Sequence, residues 1–407
     1  MDFVKDKFKC CVLGLGYIGL PTAALIAKTK NKVIGVDIDP KVVELINKGK
    51  IHIIENGLND LVKDVVDSGN LVARSKPCQA DVFLIAVPTP LEANNDDIPR
   101  PNIEYVFNAI ESIAEFVEPG NLIILESTSP IGTTEKIADL ICKKSNIPKG
   151  MLSIAYCPER VLPGKALSEI VSNNRVVGGI DKKSESKVKK FYENFCNGTI
   201  TTTDSKTAEL VKLTENAYRD TNIAFANEIS MISSELGIDD KELIKIANNH
   251  PRVNILKPGC GVGGHCIAVD PWFIASQFPN QTKLIQAARK VNLNKTSWSI
   301  KKIVNILYSY RKDLKKEPNL GIFGLTFKQD IDDMRESPAL FITEKLIEFG
   351  YKIFICEPHI KKYKNFNILT AEEVIDKADI LLLLVPHSSF KNLDLKNKNV
   401  IDLCGIR

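Results

Sequence analysis

No stretch of this sequence is apolar for long enough to cross a membrane. Its greasiest run, ADILLLLVP (378–386), has the length of a strand, whereas a spanning helix needs about 20 apolar residues. The N-terminal MDFVKDKFKCC carries charges where a secretory leader needs an apolar core. CxxC pairs are missing altogether, so structural zinc lacks its usual ligand spacing and no metal is expected. Ten cysteines in 407 residues are too sparse for a disulfide scaffold. Cys10, Cys11, Cys157 and Cys356 lie in strand-like runs and read as small buried hydrophobes. Also missing is a basic stripe interleaved with aromatics; the lysines are scattered and the net charge is only +4, which argues against nucleic acid. These absences point to a cytoplasmic protein with neither a membrane nor a nucleic-acid partner.

What is present is ordinary globular composition, 44% hydrophobic and 26% charged, over a length that predicts two or three domains. FKCCVLGLG, NKVIGVDID, ADVFLIAV, NLIILEST and LSIAYCPE read as strands with amphipathic helical stretches between them. Such alternation implies a parallel sheet covered on both faces. Near Asp204 the pattern changes to one long helix through DSKTAELVKLTENAYRDTNIAFANEISMISSELGI. Asp204 or Ser205 can cap it, Gly237 can end it, and Leu210, Leu213, Ala217 and Ala224 recur at helical spacing. More helix follows to about Tyr310. Strands then resume with NLGIFGLTF, YKIFICEP and ADILLLLVP. A weak repeat relates ADVFLIAVPTP (80–90) to ADILLLLVPHS (378–388) and CCVLGLGYIG to LGIFGLTFKQ. The expected fold is α/β: two Rossmann-like doubly wound domains, 1–203 and 309–407, joined by a central helical domain, 204–308.

Gly14, Gly16 and Gly19 form GxGxxG directly after the first strand, and Asp37 closes the second strand. The first glycine permits the tight turn, the second lets a pyrophosphate approach the backbone, and the third lets helix pack on strand. Free N–H groups at the helix start face the phosphates. Asp37 would accept hydrogen bonds from the adenosine ribose, favouring NAD over NADP.

PGCGVGGHCIAVDP (258–271) concentrates glycines, two thiols, a histidine and an aspartate. Cys260, His265 and Cys266 make a poor metal set, since two are adjacent and no fourth ligand is evident. A phosphate loop would need a Gly-Lys-Ser/Thr ending. A nucleophile reading fares better. Asp270 as N-cap and Pro271 at the first position would open a helix just past Cys266, where a thiolate is favoured. A buried, inert Cys266 is the competing reading. His52, in an apolar run, is expected to pack; His359 and His387 are read as structural or surface residues.

Over essentially its whole length the chain resembles the UDP-glucose/GDP-mannose dehydrogenase family. The carrying stretches, in the family's order, are GLGYIGLP, VPTP, ESTSPIGTTEKI, CPER, ELVKLTENAYRD, GVGGHCIAVDP and FGLTFKQDIDDMRESP. NHPRVNIL followed by GVGGHCIAVDPWFI is most similar to the branch acting on UDP-N-acetylmannosamine; relatives acting on UDP-glucose usually have a small residue where His265 stands. Cys260 departs from the branch, where proline is common, and adds a second thiol that could trap Cys266 under oxidation.

The resemblance implies a four-electron oxidation of the C6 alcohol of UDP-N-acetylmannosamine, or alternatively of UDP-N-acetylglucosamine or UDP-glucose, to the carboxylate with two NAD. It implies Cys266 as the nucleophile that makes the aldehyde tetrahedral. Lys212, Asn216 and Arg219 fall at i, i+4 and i+7 of the long helix, on one face. By resemblance Lys212 and Asn216 stabilise the oxyanion, Lys212 doubles as general acid/base, and Arg219 holds substrate. Asp270 holds or activates a water, Glu159 is the base for thioester hydrolysis, and Thr128 positions water or nicotinamide. Arg160, Val161, His250, Arg252, Gly263, Phe327 and Lys328 are implied substrate contacts. Tyr17, Ile18, Thr89 and Arg335 are implied NAD contacts. Arg252 reaching a neighbouring subunit would require at least a homodimer built on the long helix.

Overall fold

The computed structural model describes residues 7–92, 97–162, 164–314, 316–395 and 397–406; part of the N-terminal stretch read above, residues 1–6, lies outside them. The chain divides into two compact units, Met1–Thr214 and Glu215–Arg407.

The first unit is built on β1 (Lys9–Leu13), β2 (Lys32–Val36), β3 (Leu71–Arg74), β4 (Val82–Ile85), β5 (Leu122–Leu125), β6 (Ser153–Tyr156), β7 (Arg175–Gly179) and β8 (Ile200–Asp204). They form one sheet in the order β3-β2-β1-β4-β5-β6-β7-β8. Every neighbouring pair is parallel except β6 with β7. Successive side chains of a strand point to opposite faces, so Cys10 and Val12 join one core while Cys11 and Leu13 join the other. That is why KCCVL carries no polar alternation. The strand order reverses between β1 and β4, which puts a ligand crevice at their carboxyl ends.

The second unit carries a smaller, all-parallel sheet of β9 (Leu320–Phe323), β10 (Ile353–Cys356), β11 (Ile380–Leu383) and β12 (Asn399–Asp402), in the order β10-β9-β11-β12. The repeat seen in the sequence is a topological one. β4 and β11 each lie beside the first strand of their sheet, on the side away from the second strand.

The long helix runs Ser205–Leu236. Asp204 accepts from the Thr207 N–H at 2.9 Å and its hydroxyl at 2.6 Å, satisfying donors at the helix start. Gly237, at φ +68°, ends it. Leu213, Ala217 and Ala224 are buried, but Leu210 is exposed because it sits at the edge of the buried arc. The same helix presents Tyr218, Phe225, Ile232 and Leu236 to solvent, spaced so that all four fall in one stripe. His52 is exposed rather than packed. Helices Asp240–Ala247, Asp270–Gln277 and Lys283–Leu314 complete the middle of the chain.

Candidate active site

In the first unit the loop after β1 is closed at its ends and open in the middle. Gly14 has φ +91°, and a Cβ there would lie 2.6 Å from the Ala86 carbonyl oxygen; a Cβ on Gly19 would lie 1.8 Å from that of Gly14. A Cβ on Gly16 meets nothing within 4 Å. The loop is thus packed where the chain must turn and vacant where a pyrophosphate would approach, which fits a dinucleotide. Asp37, just past β2, braces this loop: Oδ2 accepts from the Leu15 N–H at 3.0 Å and Oδ1 from the Asp39 N–H at 3.0 Å. Tyr17 and Ile18 are half-buried beside it, and Thr89 and Thr128 follow β4 and β5 at the same edge of the sheet.

Glu159, past the end of β6, is buried with both oxygens engaged. Arg175 Nη2 donates to Oε2 at 2.8 Å and the Arg160 N–H to Oε1 at 2.7 Å. Arg175 is itself buried, lies 4.6 Å over the Tyr192 ring and donates through Nε to the Cys196 sulfur. Tyr192 donates its hydroxyl to Glu126 at 2.6 Å. Burial pushes the Glu126 carboxyl up to about 7, against the pull of Arg175. Arg160, half-buried, donates to the Asn174 carbonyl, and Val161 beside it is half-buried. Lys212 is buried on the long helix.

In the second unit the glycine loop is tightly docked on the 327–338 segment. A Cβ on Gly263 would lie 2.3 Å from the Glu336 carbonyl oxygen, and one on Gly264 2.6 Å from the Phe327 ring. The Gly264 N–H donates to the Arg335 carbonyl at 3.2 Å. Cys266 follows, half-buried, with its thiol free. Its carbonyl accepts from Val269 at 3.0 Å and Asp270 at 2.8 Å. The expectation for Asp270 needs correction: Val269 is the N-cap, Asp270 the first helical residue and Pro271 the second. The Cys266 carbonyl takes the first N–H groups, so the Asp270 side chain is not used as a cap. Buried instead, it accepts from Asn216 Nδ2 at 2.5 Å.

Cys260 is also corrected. Its thiol lies in the core of the second sheet and donates to the Leu384 carbonyl at 3.6 Å; burial pushes it up to about 12. A thiol so held is protonated and occupied, not a trap for Cys266.

His265 stands between Cys266 and an acidic loop. Its Nδ1 lies 3.7 Å from Asp333 Oδ2. Asp333 is buried and held by Arg335, through Nε to both oxygens at 3.0 Å and Nη2 to Oδ2 at 2.6 Å. Burial would lower the His265 pKa, but the neighbouring Asp333 carboxylate and Cys266 prevail and lift it to about 9. Burial would raise the Asp333 carboxyl; His265 and Arg335 hold it well below the usual carboxylate range. Phe327 and Lys328 are half-buried on the same segment. Arg219 is exposed, and His250 and Arg252 sit on an exposed turn after the Asp240–Ala247 helix, the Arg252 N–H donating to His250 Nδ1 at 3.3 Å.

A cavity of about 450 Å³ opens among Lys257, Lys295, Trp298, Lys302 and the 402–405 turn. Lys295 donates to the Ser230 hydroxyl at 3.0 Å and lies 4.1 Å over the Trp298 ring; burial lowers it to about 8. Asp330, His359 and His387 also cluster. There His387, fully buried, accepts the Asp330 N–H at Nδ1 (2.9 Å), and its Nε2 lies 3.2 Å from Glu357, so it serves as a structural cross-link.

Sequence reasoning missed Glu126, Arg175, Tyr192, Asp333 and the cavity lysines. For the last a signal existed, since Lys295, Trp298 and Lys302 recur at i, i+3 and i+7.

Comparison with known proteins adds to this geometry. Family models for the NAD binding, central and UDP binding domains of the UDP-glucose/GDP-mannose dehydrogenase family match residues 8–196, 206–294 and 321–406. A UDP-N-acetyl-D-mannosamine dehydrogenase of Campylobacter jejuni is 47% identical over 97% of this chain and 99% of its own length. An NDP-N-acetyl-D-galactosaminuronic acid dehydrogenase of Ralstonia nicotianae is 45% identical over 97% and 95%. The solved structure of a UDP-D-ManNAc dehydrogenase from Pyrococcus horikoshii superposes with a TM-score of 0.89 at 35% identity, covering 98% of this chain and 96% of that one.

Proposed function

The chain belongs to the UDP-glucose/GDP-mannose dehydrogenase family, an NAD-dependent oxidoreductase family, and on that premise we propose that it is a UDP-N-acetyl-D-mannosamine 6-dehydrogenase. The observation that carries the reading is the Cys266 loop: a free, half-buried thiol between a docked glycine turn and the Asn216–Asp270 hydrogen bond. The mannosamine substrate is favoured by relatives of that name covering nearly the whole chain. The Ralstonia relative supports a second reading, the same chemistry on an N-acetylgalactosamine nucleotide.

When bound, NAD would supply the hydride acceptor for both oxidations; Gly14, Gly16 and Gly19 would hold its pyrophosphate, Asp37 its ribose, and Tyr17, Ile18, Thr89, Thr128 and Arg335 its flanks. Arg335 also grips Asp333. The difficult step for the protein is the aldehyde, which gives up hydride only after a nucleophile has added. The Cys266 sulfur forms the C–S bond and the carbonyl oxygen takes the negative charge. Lys212 and Asn216 donate to that oxygen. Loss of hydride from the adduct leaves a thioester, and water then releases the carboxylate and the thiol. Asp270 holds a water for the first proton transfer, and Glu159, oriented by Arg175, serves the hydrolysis. Arg160, Val161, Arg219, His250, Arg252, Gly263, Phe327 and Lys328 contact the UDP-sugar.

The division into 1–203, 204–308 and 309–407 is kept, supported by a first sheet ending at Asp204 and a second starting at Leu320. A homodimer formed on the long helix is supported by the exposed Tyr218, Phe225, Ile232 and Leu236 stripe. No described helix is long and apolar enough to cross a membrane, and the ten free cysteines suit the reducing cytoplasm assigned to the protein.

The test is NADH release across a panel of UDP-sugars, with the sugar product counted. Two NADH per sugar on UDP-N-acetylmannosamine supports the reading. Absence of turnover on that sugar sinks the substrate, and one NADH per sugar sinks the four-electron chemistry.

A further inference from the structure

One helix holds the Cys266 loop at both ends. Asn216 holds the exit by donating to Asp270, and Asn227 holds the entrance, its Oδ1 accepting the Gly259 N–H at 3.0 Å. The two asparagines are eleven residues apart on the long helix, which puts them on one face and about 16 Å apart along its axis. The Asn227 amide is not free to turn. Its Nδ2 donates to Asn292 Oδ1 at 2.8 Å. Asn292 Nδ2 donates in turn to Asp220, to Oδ1 at 2.8 Å and to the backbone carbonyl at 3.1 Å. Arg289 Nη1 donates to the same Oδ1 at 2.6 Å. All four side chains are buried, and Asp220 Oδ2 takes no hydrogen bond among the described residues, so both donors converge on one oxygen. A carboxylate paired with an arginine only accepts. It draws the Asn292 NH2 toward itself, which turns the Asn292 oxygen to Asn227 and the Asn227 oxygen to Gly259. The chain of bonds thus has a direction, and it ends on an acceptor aimed at a backbone N–H of the loop.

We propose that Asn227 is a positioning residue for the Cys266 thiol, acting through the Gly259 N–H, with Asn292, Asp220 and Arg289 fixing the direction of its amide. This rests on Cys266 being the nucleophile. Past Gly259 the loop runs through contacts without slack. The Cys260 thiol donates to the Leu384 carbonyl, and a Cβ on Gly261 would lie 2.2 Å from Thr296 Oγ1 and 3.0 Å from Pro338. A shift at the entrance is therefore passed along the backbone toward Cys266 rather than absorbed. Its effect falls on one of the two oxidations. The first takes hydride from the C6 alcohol without help from sulfur, and the Asn216–Asp270 bond at the exit is untouched. The second cannot begin until the sulfur reaches the aldehyde carbon and forms the C–S bond, a step that depends steeply on aim.

The experiment uses single turnovers, with enzyme and NAD in excess over the UDP-sugar that wild type oxidises. NADH absorbance then counts the two hydride transfers in turn. N227L is compared with wild type, N292L and K295M, and acid formation is measured in C266S. Lys295 is the control, because it joins the same two helices through the Ser230 hydroxyl at 3.0 Å without a bond to the loop. N227L should form the first NADH within about threefold of the wild-type rate and the second about tenfold or more slowly. N292L should do the same to a smaller degree, and K295M should keep the wild-type ratio of the two rates. N292L carries the test if N227L does not fold. Two phases slowed equally, or a ratio unchanged, in the folded variants overturns the proposal while leaving Cys266 as nucleophile. A K295M ratio shifted as far as that of N227L also overturns it, since any loosening of the helix pair would then suffice. Acid formation at the wild-type rate by C266S overturns the nucleophile reading, and this one with it.

Discussion

Asn216 donates its side-chain amide to the Asp270 carboxylate at 2.5 Å, joining the long helix to the turn that follows the Cys266 loop. The bond can be kept while the charge is removed. D270N preserves an acceptor for Asn216, so it should melt within about 1 kcal/mol of wild type. If Asp270 handles a water, kcat should nevertheless fall by about a hundredfold. D270A removes both and should cost a further ~1–3 kcal/mol of stability. Urea melts and steady-state kinetics separate the two; a fully active D270N would remove Asp270 from the chemistry.

Arg175 balances a buried carboxylate. R175M leaves Glu159 without its cation and should destabilise the first unit by about 3–5 kcal/mol. Removing the second charge as well, in E159Q/R175M, should recover part of that loss. If the double variant is no more stable than R175M by urea unfolding, the ion pair is not what the arginine supports.

Glu126 gives a pH signature. Its folded-state carboxyl is pushed by burial from 4.5 up to about 7, so the folded protein binds this proton more tightly than the unfolded chain. The contribution is fully present below pH 4.5 and is lost as pH rises through about 7. E126Q keeps an acceptor for Tyr192 and abolishes the titration. Its Tm should exceed that of wild type at pH 8 and converge on it near pH 5, read by thermal scans. A Tm difference that is flat with pH would contradict the shift.

Asp37 is braced by Leu15 and Asp39 through one N–H each, which leaves acceptor capacity on both oxygens. D37N should raise KM for NAD by about tenfold, a charged hydrogen bond being worth ~1.5–3 kcal/mol, with kcat little changed. Relative use of NADP should rise. Equal KM values for D37N and wild type would take the ribose away from this side chain.

The parts read correctly from sequence were those in which neighbours in the chain are neighbours in space. The turn and packing roles of Gly14 and Gly19 follow from one strand–turn–helix. The repeat of ADVFLIAV and ADILLLLV follows from equivalent strands in two sheets. The long helix is bounded as its caps imply. The Asp270 cap failed because a backbone carbonyl, that of Cys266, took the N–H groups for which a side chain was expected; backbone acceptors leave no mark in sequence. Leu210 failed because helical spacing gives an arc and not its edges. The Glu126–Tyr192–Arg175–Glu159 network and the His265–Asp333 pair were unreadable for another reason. Each joins segments widely separated along the chain, and only the closed fold brings them within hydrogen-bond or ion-pair distance.

The tight fit of Gly264 against the Phe327 ring has a mechanical meaning. Where two surfaces touch with no slack, neither can move alone. A UDP-sugar that pushes on Phe327 from its nucleotide end would shift the turn carrying Cys266 by the same fraction of an ångström. On the proposed function, the loop would then work as a lever rather than a hinge, converting recognition far from C6 into aim at the sulfur. A poorly fitting nucleotide would be punished in kcat as well as in KM.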